Sequence, residues 1–220
     1  MNDLMYLLML LIPLAAQIYV SFTYRKYKSV DNSSGVTGYD VARQILDKNG
    51  LDKIYIVETK GVMSDHYDPN RKIVRLSTEV YNGRSIASMA IAAHECGHAI
   101  QDKDGYFFLK FRSMIFPIVN IGTQFAYIVL LIGFIFEAIN LIGLGILLVS
   151  LGLIFQLVTL PTEIDASKRA MKCLCDCGYE NDTSDTKVML TSAALTYVAG
   201  VLSSALEVLR LILIFNDRNN

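Results

Sequence analysis

Long apolar stretches alternate with polar ones along this 220-residue chain. Leu4 to Phe22 is apolar throughout except for Pro13, Gln17 and Ser21. Phe116 to Phe136 and Ala138 to Leu160 form two further apolar runs, and only Glu137 stands between them. A bilayer core of about 30 Å takes about 20 apolar residues in a helix. The pattern therefore predicts a transmembrane anchor over 4–22 and a transmembrane hairpin over 116–160. Leu195 to Phe215 is mostly apolar but contains Glu207 and Arg210, which lie one helical turn apart and can pair. It predicts a membrane-associated helix over 195–215.

The polar stretches show the shorter periods of a small folded domain. Thr37 to Asn49 reads as an amphipathic helix with the stripe Val41, Ala42, Ile45 and Leu46, closed by Asn49-Gly50. Ile54–Val57 and Ile73–Leu76 are β-branched runs that predict strands. Between them, Met63 to Asn70 reads as a loop turning at Asp68-Pro69-Asn70. Ser85 suits the N-cap of a helix from about Ile86 to Gln101. The expected organisation is an α+β part over 37–112, a second polar segment over 161–192, and helices in the membrane on either side.

Composition and charge support this picture and orient it. Hydrophobic residues make up 53% of the chain, more than a soluble fold of this size carries. None of the 20 Lys and Arg falls in residues 1–24 or 113–167. Arg25, Lys26 and Lys28 follow the first apolar run and no basic residue precedes it, which reads as an uncleaved anchor with its N-terminus outside. The hairpin tip also carries no Lys or Arg and is placed outside, so the polar domain lies in the cytoplasm. A net charge of −1 and the lack of a basic, aromatic-interleaved patch exclude nucleic acid as a partner.

The candidate chemistry is concentrated in His94-Glu95-Cys96-Gly97-His98, which holds two of the three histidines. Helical residues four apart lie one above the other, so His94 and His98 can grip one metal ion. Glu95, about 100° further round, can reach a water on that metal and take its proton. Gly97 weakens a helix by about 1 kcal/mol relative to Ala, and close approach of another backbone, or of substrate, beside the metal would account for it. A catalytic zinc takes a third protein ligand. A hairpin returns the chain to the side it left, so Leu160-Pro-Thr-Glu-Ile-Asp165 re-emerges near the metal helix. Glu163 is the expected third ligand, with Asp165 as the substitute or as the group that holds a histidine from behind. His66, Tyr197 and Arg169 are candidates to stabilise an oxyanion. Ile73, Val74, Arg75 and Leu76 are read as an exposed edge strand that holds an extended substrate by backbone pairing. Cys173, Cys175 and Cys177 do not have a zinc-ribbon spacing and are read, with Cys96, as reduced structural thiols.

Several stretches together resemble the neutral zinc metallopeptidases of bacterial membranes, of the YugP type. They are Thr37-Gly-Tyr-Asp-Val-Ala-Arg43, Asp65-His-Tyr-Asp-Pro69, Val74-Arg-Leu-Ser77, Tyr81-Asn-Gly-Arg-Ser-Ile86, Ala93 to Gln101, Leu160 to Ser167 and Ala194 to Ala199. The layout is more distantly similar to HtpX-type and CAAX prenyl proteases, which carry a His-Glu-x-x-His helix and a later Glu ligand. That resemblance implies a small zincin-like domain of the gluzincin type, one Zn2+ ion, and Glu163 in the place of the later Glu. Those relatives usually have an Asp four residues after it, where this chain has Ser167. Cys96 falls at a variable position of the motif. The expected function is a membrane-anchored zinc endopeptidase in the bacterial cell membrane. It would act at the cytoplasmic face on unfolded or membrane-proximal polypeptides. The alternatives are a non-catalytic zinc-binding adaptor or chaperone, whose structural site would be closed by four protein ligands, and a zinc-regulated transporter. A transporter would want ionisable groups inside the spans, and 116–136 and 138–160 contain no charged residue.

Overall fold

Helix starts fall where the polar sequence supplies caps. In the computed structural model, which describes residues 2–219, the first polar helix is α2 (Gly38–Lys48). The Thr37 side chain accepts the Asp40 N–H, and the Asp40 carboxylate accepts the Thr37 N–H in return. Gly50, at φ +66°, turns the chain out of that helix. Ser85 caps the metal-motif helix α4 (Ile86–Lys103) through the Ser88 N–H.

Three strands form one sheet, in the order β1 (Tyr55–Thr59), β3 (Ile73–Ser77), β2 (His66–Asp68). β1 runs parallel to β3, with Tyr55 opposite Ile73, and β2 runs antiparallel to it, with Tyr67 opposite Val74. The stretch expected to be a loop thus contributes β2, and the Asp68 carboxylate accepts the Asn70 and Arg71 N–H groups in the turn that follows. The Ile73–Leu76 edge strand is corrected to an interior one. β1 and β2 flank β3 on its two sides and use its backbone groups, leaving no free edge there for an extended peptide. The five-residue helix α3 (Thr78–Asn82), capped by Ser77, leads from β3 towards α4.

Among the described residues, four helices are long and apolar enough to cross a membrane: α1 (Asn2–Lys28), α5 (Phe107–Ile135), α6 (Ile139–Asp176) and α7 (Thr183–Asn219). Each outruns its apolar stretch. Pro161 sits inside α6, which continues unbroken from the apolar run into the segment carrying Glu163.

The chain divides into two compact units. Ile18–Tyr106 with Thr162–Leu195 make the more polar one. Its core joins Val41, Ala42, Ile45 and Leu46 of α2 to Met89, Ala90, Ala93 and Cys96 of α4, and to Ala170 and Leu174 of α6, all at 0% exposure. Met1–Gln17, Phe107–Pro161 and Thr196–Asn220 make the other. There, Gly133 lies against Ile142 and Gly145 against Leu130, so α5 and α6 pack closely across their glycines. Polar contacts tie α7 to the remaining helices of this unit. Tyr127 donates to Glu207 at 2.7 Å, Gln156 donates to Ser204 at 2.9 Å, and Arg210 donates to the Tyr6 hydroxyl.

Candidate metal centre

α4 crosses α6 at Gly97. A Cβ on Gly97 would lie 2.4 Å from the Ala166 carbonyl oxygen, so the two backbones meet where only glycine fits. This contact sets the register between the helices. One turn of α6 away from Ala166 stands Glu163; on α4, His94 stands one turn before the glycine and His98 directly after it.

The Glu163 Oε2 atom lies 3.2 Å from His94 Nε2 and 3.5 Å from His98 Nε2. The two rings meet edge to face, with centroids 4.8 Å apart and planes at 85°. The donor atoms of all three residues fall within 4.8 Å of one another, and among the described residues they are the one such group. Zinc bonds to nitrogen and carboxylate oxygen run about 2.0–2.1 Å, so neighbouring ligand atoms on a tetrahedron stand about 3.3 Å apart. The two observed edges bracket that value, and the donor set suits the ion.

The remaining ring nitrogens are held from behind. Ser167 Oγ lies 3.2 Å from His94 Nδ1, and Gln101 Oε1 lies 3.0 Å from His98 Nδ1. Such contacts fix ring orientation and ligand basicity. Burial alone pulls the His98 imidazole down. The Glu163 hydrogen bond, the Glu95 and Glu163 charges and the Gln101 contact outweigh it and leave the ring above its ordinary value.

A family profile described as "putative neutral zinc metallopeptidase" matches residues 3–216. The chain belongs to this zinc metallopeptidase family. It is 45% identical over 202 residues to the "Putative membrane protease YugP" of Bacillus subtilis (strain 168), a match covering 91% of this chain and 90% of that protein. No solved structure matches it.

In this family member the other candidate residues lie as follows. Glu95 is buried at 8% exposure on α4, beside His94. Asp165 accepts from Gln101 Nε2 at 2.8 Å and from Arg169 Nε at 2.6 Å. It therefore bears on His98 through Gln101, a residue the sequence reading did not single out. The signal was available, because Gln101 follows His98 by three positions, on the same helical face. Arg169 is committed to Asp165 and Asp104. That makes it a clamp between α6 and the end of α4, where an oxyanion donor had been expected. His66 is exposed on β2, its ring against the Ser64 carbonyl at 2.8 Å. Tyr197 lies on α7 in the apolar unit, half-buried. Cys96 is fully buried beside the Ala42 carbonyl at 3.6 Å, and burial pushes its thiol up, which makes it a packing group rather than a nucleophile.

Proposed function

We propose that the chain is a membrane-anchored zinc endopeptidase that hydrolyses peptide bonds of unfolded or membrane-proximal polypeptides at the cytoplasmic face of the bacterial cell membrane. The observation that carries this reading is the convergence of His94, His98 and Glu163 with the Glu95 carboxylate adjoining on α4. Three protein donors leave a tetrahedral ion one open position, as catalytic sites require and closed structural sites do not.

His94, His98 and Glu163 would hold one zinc ion. When bound, zinc supplies Lewis-acid polarisation of the scissile carbonyl and brings water towards deprotonation near neutral pH. Glu95 accepts the proton of the attacking water as the new C–O bond forms. It then delivers that proton to the amide nitrogen as the C–N bond breaks, giving a carboxylic acid and an amine, and the acid's remaining water proton passes to the amine, so the products leave as a carboxylate and an ammonium. Gln101 and Ser167 keep the imidazoles oriented throughout. Asp165 is the substitute ligand in this reading, and His66 and Tyr197 are the candidate oxyanion donors.

For the membrane, the basic cluster Arg25, Lys26 and Lys28 and the uncharged flanks of Glu137 support an outside N-terminus and an outside hairpin tip. The metal helix is then cytoplasmic, and a crossing by α7 returns the C-terminus to the outside.

The test is Glu95→Gln in the purified full chain. It should retain one zinc per chain and lose casein or peptide cleavage by about 10²-fold or more. Glu163→Ala and His94→Ala should lose the zinc itself. Cleavage that survives Glu95→Gln unchanged would sink the assignment.

A further inference from the structure

Gln101 is fully buried, and each of its polar atoms has a partner. Its amide nitrogen donates to the Thr162 carbonyl and to the Asp165 carboxylate, both at 2.8 Å. Its amide oxygen faces His98 Nδ1 at 3.0 Å. A carbonyl and a carboxylate only accept, so the nitrogen must point at them. Flipping the amide would set its oxygen against two acceptors in a buried site. Asp165 also accepts from the Arg169 guanidinium at 2.6 Å. The orientation of Gln101 is therefore dictated from the α6 side, and the consequence falls on α4. With an amide oxygen in front of it, His98 Nδ1 must carry a proton, so when the ring gives up its other proton to hold an ion, Nε2 is the ligand atom, on the side where Glu163 and His94 converge.

We propose that Gln101 is a positioning residue that locks His98 in the Nδ1–H tautomer and so presents a ligand-ready Nε2 lone pair. Its orientation is set by Thr162 and Asp165 of the helix that also brings Glu163. One residue thus couples the tautomer of a histidine on α4 to the docking of α6. The tautomer assignment stands on the hydrogen bonds alone, and its value for zinc rests on the metallopeptidase reading.

The chain has only three histidines, which makes the tautomer directly observable. The full chain is labelled with 15N-histidine, solubilised in detergent and loaded with one zinc ion per chain. The His98 signals are assigned by their loss in His98→Gln. In the wild type, Nδ1 should show the shift of a protonated nitrogen and Nε2 that of a metal-bound one. Gln101→Met, of similar length but unable to accept, should let part of the population bind zinc through Nδ1 with the proton on Nε2. It should also weaken zinc binding by about 10- to 100-fold in chelator competition. Gln101→Glu still offers His98 an acceptor oxygen but meets the Thr162 carbonyl and Asp165 with another acceptor. It should keep the Nδ1–H signature while lowering the melting temperature, a split that a purely structural role would not give. A wild-type His98 protonated on Nε2, or a Gln101→Met chain with unchanged tautomer and unchanged zinc affinity, would overturn the proposal. A zinc-loaded wild type with the expected tautomer but no peptide cleavage would uphold the Gln101 assignment and remove the peptidase reading instead.

Discussion

Replacing Gly97 by alanine tests the helix crossing on which the metal centre is built. The added Cβ would stand 2.4 Å from the Ala166 oxygen, 3.1 Å from its carbonyl carbon and 3.2 Å from its Cα. Ordinary contact begins at 3.4 Å, so the nearest pair falls short by about 1 Å, and the obstruction is backbone that cannot rotate aside. The helices must separate by about that distance. Donor edges of 3.2 and 3.5 Å would then open on the Glu163 side well beyond the ~0.2 Å that metal–ligand bonds tolerate. Overpacking costs about 1–3 kcal/mol, and alanine returns about 1 kcal/mol of helix propensity, so the fold should lose no more than about 2 kcal/mol. Zinc affinity should fall further, by about 100-fold, equivalent to about 2.7 kcal/mol. Chelator competition on the detergent-solubilised chain measures the affinity, and thermal unfolding in the same detergent measures the stability. Gly152→Ala is the control, because its Cβ would meet only the Thr123 methyl at 3.4 Å and zinc binding should not change. A Gly97→Ala chain that binds zinc like the wild type and melts higher would refute the reasoning.

Ser167→Ala removes the partner of His94 Nδ1 and should weaken zinc binding by about tenfold with little change in melting temperature, measured by the same competition. The metal-free protein should lose stability as pH rises from about 6.5 upward. His98 titrates above its ordinary value, so its contribution is complete below about 6.5 and is lost as pH passes through the raised value. The zinc-loaded protein should show the opposite slope over the same interval, because the metal needs the neutral ring. Melting curves with EDTA and with zinc check both slopes, and a metal-free curve that climbs with pH would be inconsistent with the Glu163–His98 contact. Leu46→Ala empties a fully buried site between α2 and α4 and should cost about 2–5 kcal/mol, read from denaturant or thermal unfolding.

What the sequence determined by itself was whatever short-range chemistry encodes. The length of an apolar run sets whether a helix can span lipid, and α1, α5 and α6 lie where the runs predict, extended at their ends. Four-residue spacing sets His94 over His98, and Thr37 and Ser85 start their helices through hydrogen bonds only three residues long. Gly97 announced a close approach without naming the partner. Long-range pairing was beyond this grammar. β2 is too short and too polar to signal a strand, and Ile73–Leu76 reads the same in the middle of a sheet as at its edge, because only the neighbouring strands distinguish the two. The choice between Glu163 and Asp165 was likewise open, since both follow the apolar run and stand on the same helix. The crossing at Ala166 turned the Glu163 oxygen towards both imidazoles and Asp165 towards Gln101 and Arg169. A helix fixes which of its residues share a face, but which face meets a partner is decided by where two backbones can approach, and that exists only once the chain has folded.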